Sequence, residues 1–190
     1  MKKRALLIIA GIFGVLVVGM FGFAAYIGFF STPKVTEMMV GPYTYIYEEF
    51  IGDYNKSGPV FDKVYNALKE KGIVTTKGLG VYFDDPAIVP ADKLRSYCGV
   101  VIENDDLNRI SEFETKFKVG KIARNKKMVI EFPVKNGLSY MVGPMKCYPA
   151  FMKYTRENNY KPDALSFEVY DEPAQKILFV MEIEVLQKNE

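Results

Sequence analysis

Glu168-Val169-Tyr170-Asp171-Glu172-Pro173 and, 87 residues earlier, Val81-Tyr82-Phe83-Asp84-Asp85-Pro86 both read as a strand running into acids and a Pro-marked turn. The same spacing recurs in the preceding segments. Phe61, Val64, Tyr65 and Leu68 carry the i, i+3, i+4, i+7 stripe of an amphipathic helix started by Gly58-Pro59. Tyr148, Phe151, Met152 and Thr155 repeat it, with Thr155 the one weak match. Around these helices, residues 43–47, 79–83 and 97–102 read as strands in the first half. In the second half, 113–122 and 128–134 read as a hairpin turned at 124–127. A helix over 149–158 follows, with a turn or short helix from Leu138, and then strands at 165–170 and 177–186. A duplicated strand–helix–strand–strand unit accounts for this order. The expected fold is therefore α+β: two tandem modules, about 40–103 and 111–187, forming an antiparallel sheet with both helices on one face. A crevice between the modules is a natural small-molecule site.

Working outward, the chain of 190 residues is 49% hydrophobic and 25% charged, a globular balance. It contains no His and two Cys, which removes Ser-His-Asp and Cys-His catalysis and any imidazole or four-thiolate metal site. No cofactor or metal is expected. Three of the 25 cations, Lys2, Lys3 and Arg4, precede residue 5, leaving 22 against 23 acids. A near-neutral domain has no electrostatic footprint for phosphate backbones, so nucleic acid is not an expected partner.

Residues 5–30 are apolar or Gly with one Tyr, and no acid occurs before Glu37. This run exceeds a bilayer's hydrocarbon thickness and is longer than a signal-peptide core, so an uncleaved anchor at 1–30 is expected, with a linker at 31–39 and one domain at 40–187. Three leading cations put the N-terminus in the cytoplasm and the domain outside it, periplasmic in a bacterium. The lipid bilayer is then a partner, and membrane proteins are an alternative one.

Ile46-Tyr47-Glu48 with Gly52 and Tyr54, Gly80-Val81-Tyr82-Phe83-Asp84-Asp85-Pro86, residues 89–95, and Phe167-Glu168-Val169-Tyr170 together resemble the GyrI-like small-molecule-binding family over about residues 40–186. Within it the chain is most similar to the membrane-anchored testis-expressed (endoplasmic-reticulum autophagy receptor) type, without the long C-terminal tail of that type. The resemblance implies a two-module groove for hydrophobic or cationic small molecules. Family members include effector-binding domains of regulators and some hydrolases, so a hydrolase using Glu168 as general acid or base is the enzymatic alternative, and a binder is preferred. A scaffold or subunit of a membrane complex is the third reading.

Strand alternation places Glu168 and Tyr170 on one face and Phe167 and Val169 on the other. From the residues alone, a solvent-facing Glu on an edge strand is the base expectation. The resemblance selects the groove instead, because the corresponding glutamate is the family's groove acid. A carboxylate among aromatic rings attracts an organic cation or holds a proton. Tyr47, Tyr82, Phe151 and Tyr154 are the expected groove walls, with core packing an equal competitor for each. The basic segment 121–127 is expected at a solvated hairpin tip. Cys98 and Cys147 are expected as free buried thiols rather than a disulfide.

Overall fold

The computed structural model of the protein describes residues 2–26, 28–30 and 32–186; the expected domain end at 187 lies outside them. Helix α1 (Lys2–Tyr26) is followed by β1 (Thr36–Val40), β2 (Tyr43–Ile51), α2 (Gly58–Glu70), β3 (Lys77–Tyr82) and β4 (Arg95–Ile102). Then come β5 (Lys118–Ile122), β6 (Asn125–Pro133), α3 (Ser139–Asn158), β7 (Ser166–Asp171) and β8 (Lys176–Glu182). Over Ile9–Tyr26 the mean hydropathy is 2.1, so α1 is long and apolar enough to cross a bilayer, a test that a signal sequence also passes.

All eight strands form one antiparallel sheet in the order β1-β6-β8-β7-β3-β4-β2-β5. The segments expected as a hairpin do not pair with each other. β5 pairs with β2 and β6 with β1. One register runs through both ladders, from Thr36↔Val129 and Val40↔Asn125 on to Tyr43↔Ile122 and Tyr47↔Lys118. The chain from β1 into β2 is thus one bent strand against β5–β6, and this continuity curls the sheet until its edges meet. At the bend Gly41 has φ +87°, and a Cβ there would stand 3.1 Å from the Ala123 carbonyl oxygen. The segment 31–39, expected as linker, is therefore partly strand, since residues 36–39 belong to β1.

The sheet buries both faces. Tyr45, Tyr47, Leu79, Val81, Phe167 and Val169 fill its inner side. The outer side carries α2 over Ile46, Val100 and Ile102, and α3 over Ile130, Phe132 and Phe179. The 87-residue spacing holds for the helices, where Val64 and Phe151, and likewise Leu68 and Thr155, are fully buried. It fails for the strands. The strands match one residue off that spacing, as Tyr82 and Tyr170 show, and the slip exchanges the faces: Val81 points inward while Glu168 points toward the helices.

Helix α3 is a single element rather than a turn and a helix, despite Pro144 and Pro149 within it. Val142, Cys147 and Phe151 hold it to the sheet, and such packing outweighs two missing N–H donors. Gly143 permits the close approach: a Cβ there would come within 2.7 Å of the Phe179 ring. The basic segment also differs from expectation. Lys127 is fully buried, donating to Asn125 Oδ1 and to Glu182 Oε1 at 2.5 Å, because β8 brings that acid alongside. Cys98 and Cys147 are both free and buried.

Candidate functional site

Strands β3 and β7 form the seam between the modules, and Gly80 lies directly opposite Glu168 across it. With no side chain at Gly80, the space above the strand is taken by the Tyr82 ring. A Cβ at that position would meet the Tyr82 hydroxyl at 2.8 Å. Gly78 makes the same allowance for Tyr170, whose ring would lie 3.2 Å from a Cβ there. The alternation Gly78-Leu79-Gly80 therefore keeps the inner core continuous while clearing the outer face for two tyrosines.

The Glu168 side chain stands in this clearing and is only 4% exposed. Tyr148, from α3, donates to Oε1 at 3.0 Å, and Tyr170 donates to Oε2 at 2.8 Å. The Tyr82 and Tyr170 hydroxyls are 2.6 Å apart. The Tyr170 ring also spans the gap between the helices, meeting Phe61 of α2 at 5.5 Å and Tyr140 of α3 at 5.9 Å. Burial pushes the Glu168 carboxyl up to about 7, against the opposing pull of the Tyr170 and Tyr148 hydroxyls. Burial, together with the negative charge of Glu168, holds Tyr82, Tyr148 and Tyr170 well above the usual phenol range, so all three remain neutral donors.

Of the sequence-derived candidates, the structure brings Glu168 and Tyr82 together. Tyr47 is on the opposite side of the sheet, stacked on Tyr97 at 4.3 Å in the inner core, because its odd position on β2 faces inward. Phe151 lies under α3 with no exposed surface and reaches the site only through the Tyr148 ring at 6.5 Å. Tyr154 lies near the other end of α3, where it and Tyr160 donate to Glu37 Oε1 at 3.1 and 2.9 Å. Tyr148 and Tyr170 are site residues that the sequence signals contained without singling them out. Tyr148 heads the α3 stripe, and Tyr170 shares the Glu168 face.

Glu37 provides an internal reference. It too accepts from two phenols, those of Tyr154 and Tyr160, and Lys126 Nζ stands 2.7 Å from its Oε2. The hydrogen bond from Lys126, followed by that from Tyr160, holds its carboxyl below the usual range. Glu182 likewise has Lys127. Among the described residues no lysine or arginine pairs with Glu168. Two shallow depressions, of about 230 Å³ beside Phe50, Phe83 and Tyr97 and about 270 Å³ around Phe21 and Phe29, lie away from it.

Neither a protein-family profile nor a curated protein sequence matches this chain. Solved structures do. The EcmrR C-terminal domain is 11% identical with a TM-score of 0.56, over 81% of this chain and 99% of that one. EcmrR in its cryo-EM complex with DNA matches at 11% identity and a TM-score of 0.56, over 97% of this chain and 71% of that one. The Vibrio cholerae integron cassette protein VCH_CASS2 is 8% identical with a TM-score of 0.52, over 80% of this chain and 98% of that one. At such identities the likeness is one of fold alone.

Proposed function

We propose that this chain is a membrane-anchored small-molecule binder that holds a lipophilic organic cation against Glu168 at the seam of its two modules. The carrying observation is a buried carboxyl with two phenol donors and, unlike Glu37 and Glu182, no cationic partner among the described residues. A ligand supplies that charge, and the faces of Tyr82, Tyr140, Tyr170 and Phe61 supply cation–π and apolar contact. The cation reaches the carboxyl when the Tyr82–Tyr170 pair swings aside. Helix α1 anchors the domain, with the N-terminal cations on the cytoplasmic side and the binding domain across the bilayer. The membrane-anchored variant of the GyrI-like family is the type that this arrangement fits.

Tetraphenylphosphonium is a suitable probe because its charge does not change with pH. Calorimetric titration into the detergent-purified full chain is expected to give an affinity that falls roughly tenfold or more between about pH 8 and pH 5.5, as Glu168 takes up a proton. In Glu168→Gln both the affinity and its pH dependence should disappear. Equal binding by wild type and Glu168→Gln would remove Glu168 from the site.

A further inference from the structure

The first turns of α3 expose an apolar strip whose one ring contact with the domain, among the described residues, is that of Tyr140 with Tyr170. Met145 is 66% exposed, Met141 55% and Tyr140 50%, with Leu138 just before the helix. Met141 and Met145 are one turn apart on the same face, while Val142, Gly143 and Cys147 face the sheet. Two lysines border the strip, and both reach back to residues at or just past the end of α1. Lys135 Nζ lies 5.3 Å from the Tyr26 ring centroid, and Lys146 Nζ lies 5.4 Å from that of Phe29.

These contacts locate the strip. The candidate span ends at Tyr26, so whatever bounds α1 there also lies beside residues 135–146. All of them are at the sheet end where β6 stops, at the Pro133↔Lys176 pair. The loop after β3, including Ile88, is at the opposite end, beyond the Tyr82↔Ser96 pair. We infer that the strip on α3 seats the domain on the bilayer surface. Met141, Met145 and Leu138 enter the headgroup–acyl boundary, Tyr140 sits at the interface, and Lys135 and Lys146 lie at phosphate level. Apolar side chains with flanking cations match that layered medium, and α1 delivers the medium to them. The inference rests on the anchor reading proposed above. It also puts Tyr140, which touches the Tyr170 ring over Glu168, at the lipid boundary.

The chain has no Trp, so single-Trp variants report depth without background. Full-length Val15→Trp, Met145→Trp and Ile88→Trp would be reconstituted in liposomes containing acyl-chain-brominated lipid. Val15→Trp should be strongly quenched and Ile88→Trp unquenched, with Met145→Trp quenched to about half the extent of Val15→Trp or more, as suits an interfacial residue. Quenching of Val15→Trp with Met145→Trp as bright as Ile88→Trp overturns the seating and leaves the anchor standing. An unquenched Val15→Trp removes the anchor and the seating with it. Blue-shifted but unquenched Met145→Trp emission means that protein covers the strip, which also overturns the inference.

Discussion

Glu37 and Glu168 are two carboxylates with the same neutral donors and opposite protonation behaviour. Each accepts from two tyrosine hydroxyls, Tyr154 and Tyr160 in one case and Tyr148 and Tyr170 in the other. Lys126 beside Glu37 and its partial exposure keep that carboxyl low, while burial without a cation raises Glu168 to about 7. Two phenols therefore do not suffice to hold a buried carboxylate ionised. The linkage consequences have opposite signs. Glu37 contributes stability that is present above the unfolded value of 4.5 and is lost as pH falls through its lowered folded value. Glu168 contributes stability that is complete below 4.5 and is lost as pH rises toward about 7.

The largest expected effect follows from that second sign. Replacing Glu168 by Gln removes the cost of ionising it, so the variant should be more stable than wild type by on the order of 3 kcal/mol above pH 7, and by almost nothing near pH 4. Urea unfolding followed by circular dichroism at both pH values measures this. A difference that does not change with pH would show that Glu168 is not the strained group. Stability given up at the proposed ligand position would follow a recurring pattern of functional sites.

That strain was partly legible in the sequence. Alternation along residues 166–171 put Glu168 and Tyr170 on one face, and the apolar stripes of α2 and α3 were visible as helical spacing. The counterion arrangement was not, because it depends on strand partners far apart in the chain. β1 is short and meets β6 about ninety positions later, which alone brings Lys126 to Glu37. Lys127 reads as a solvated cation until β8 covers it with Glu182. Tyr47 reads as a groove wall until the pairing of β2 with both β4 and β5 fixes its face inward. Local pattern determined which elements form, and nonlocal register determined which charges meet.

Supplying the absent cation from within should convert the Glu168 site into a copy of Glu37. In Tyr82→Lys the ammonium replaces a hydroxyl that lies beside Tyr170. Tetraphenylphosphonium affinity is expected to fall about a hundredfold, and the Glu168 midpoint should move below the usual carboxylate range. Retained affinity would mean that the probe sits elsewhere. A smaller effect is expected of Gly80→Ala. Its methyl displaces the Tyr82 hydroxyl from Tyr170 at a cost of about 1–2 kcal/mol, as for a modest overpacking. Thermal unfolding reads the cost, and no change would show that the ring has room to move.

The smallest effect tests the comparison from the other side. Lys126→Met leaves Glu37 with its two phenols and no cation, which is the Glu168 arrangement in a wetter setting. Lys126 is itself 61% exposed, so little stability should be lost at neutral pH. The informative quantity is the titration midpoint of Glu37, followed by carbon-13 NMR of labelled glutamate. Water still reaches this carboxyl, so its midpoint should rise toward the ordinary carboxylate value without approaching that of Glu168. If it stays low with Lys126 gone, two tyrosine hydroxyls are enough to keep a carboxylate charged. The raised value at Glu168 would then reflect burial alone, and the case for a cationic ligand would lose its reference.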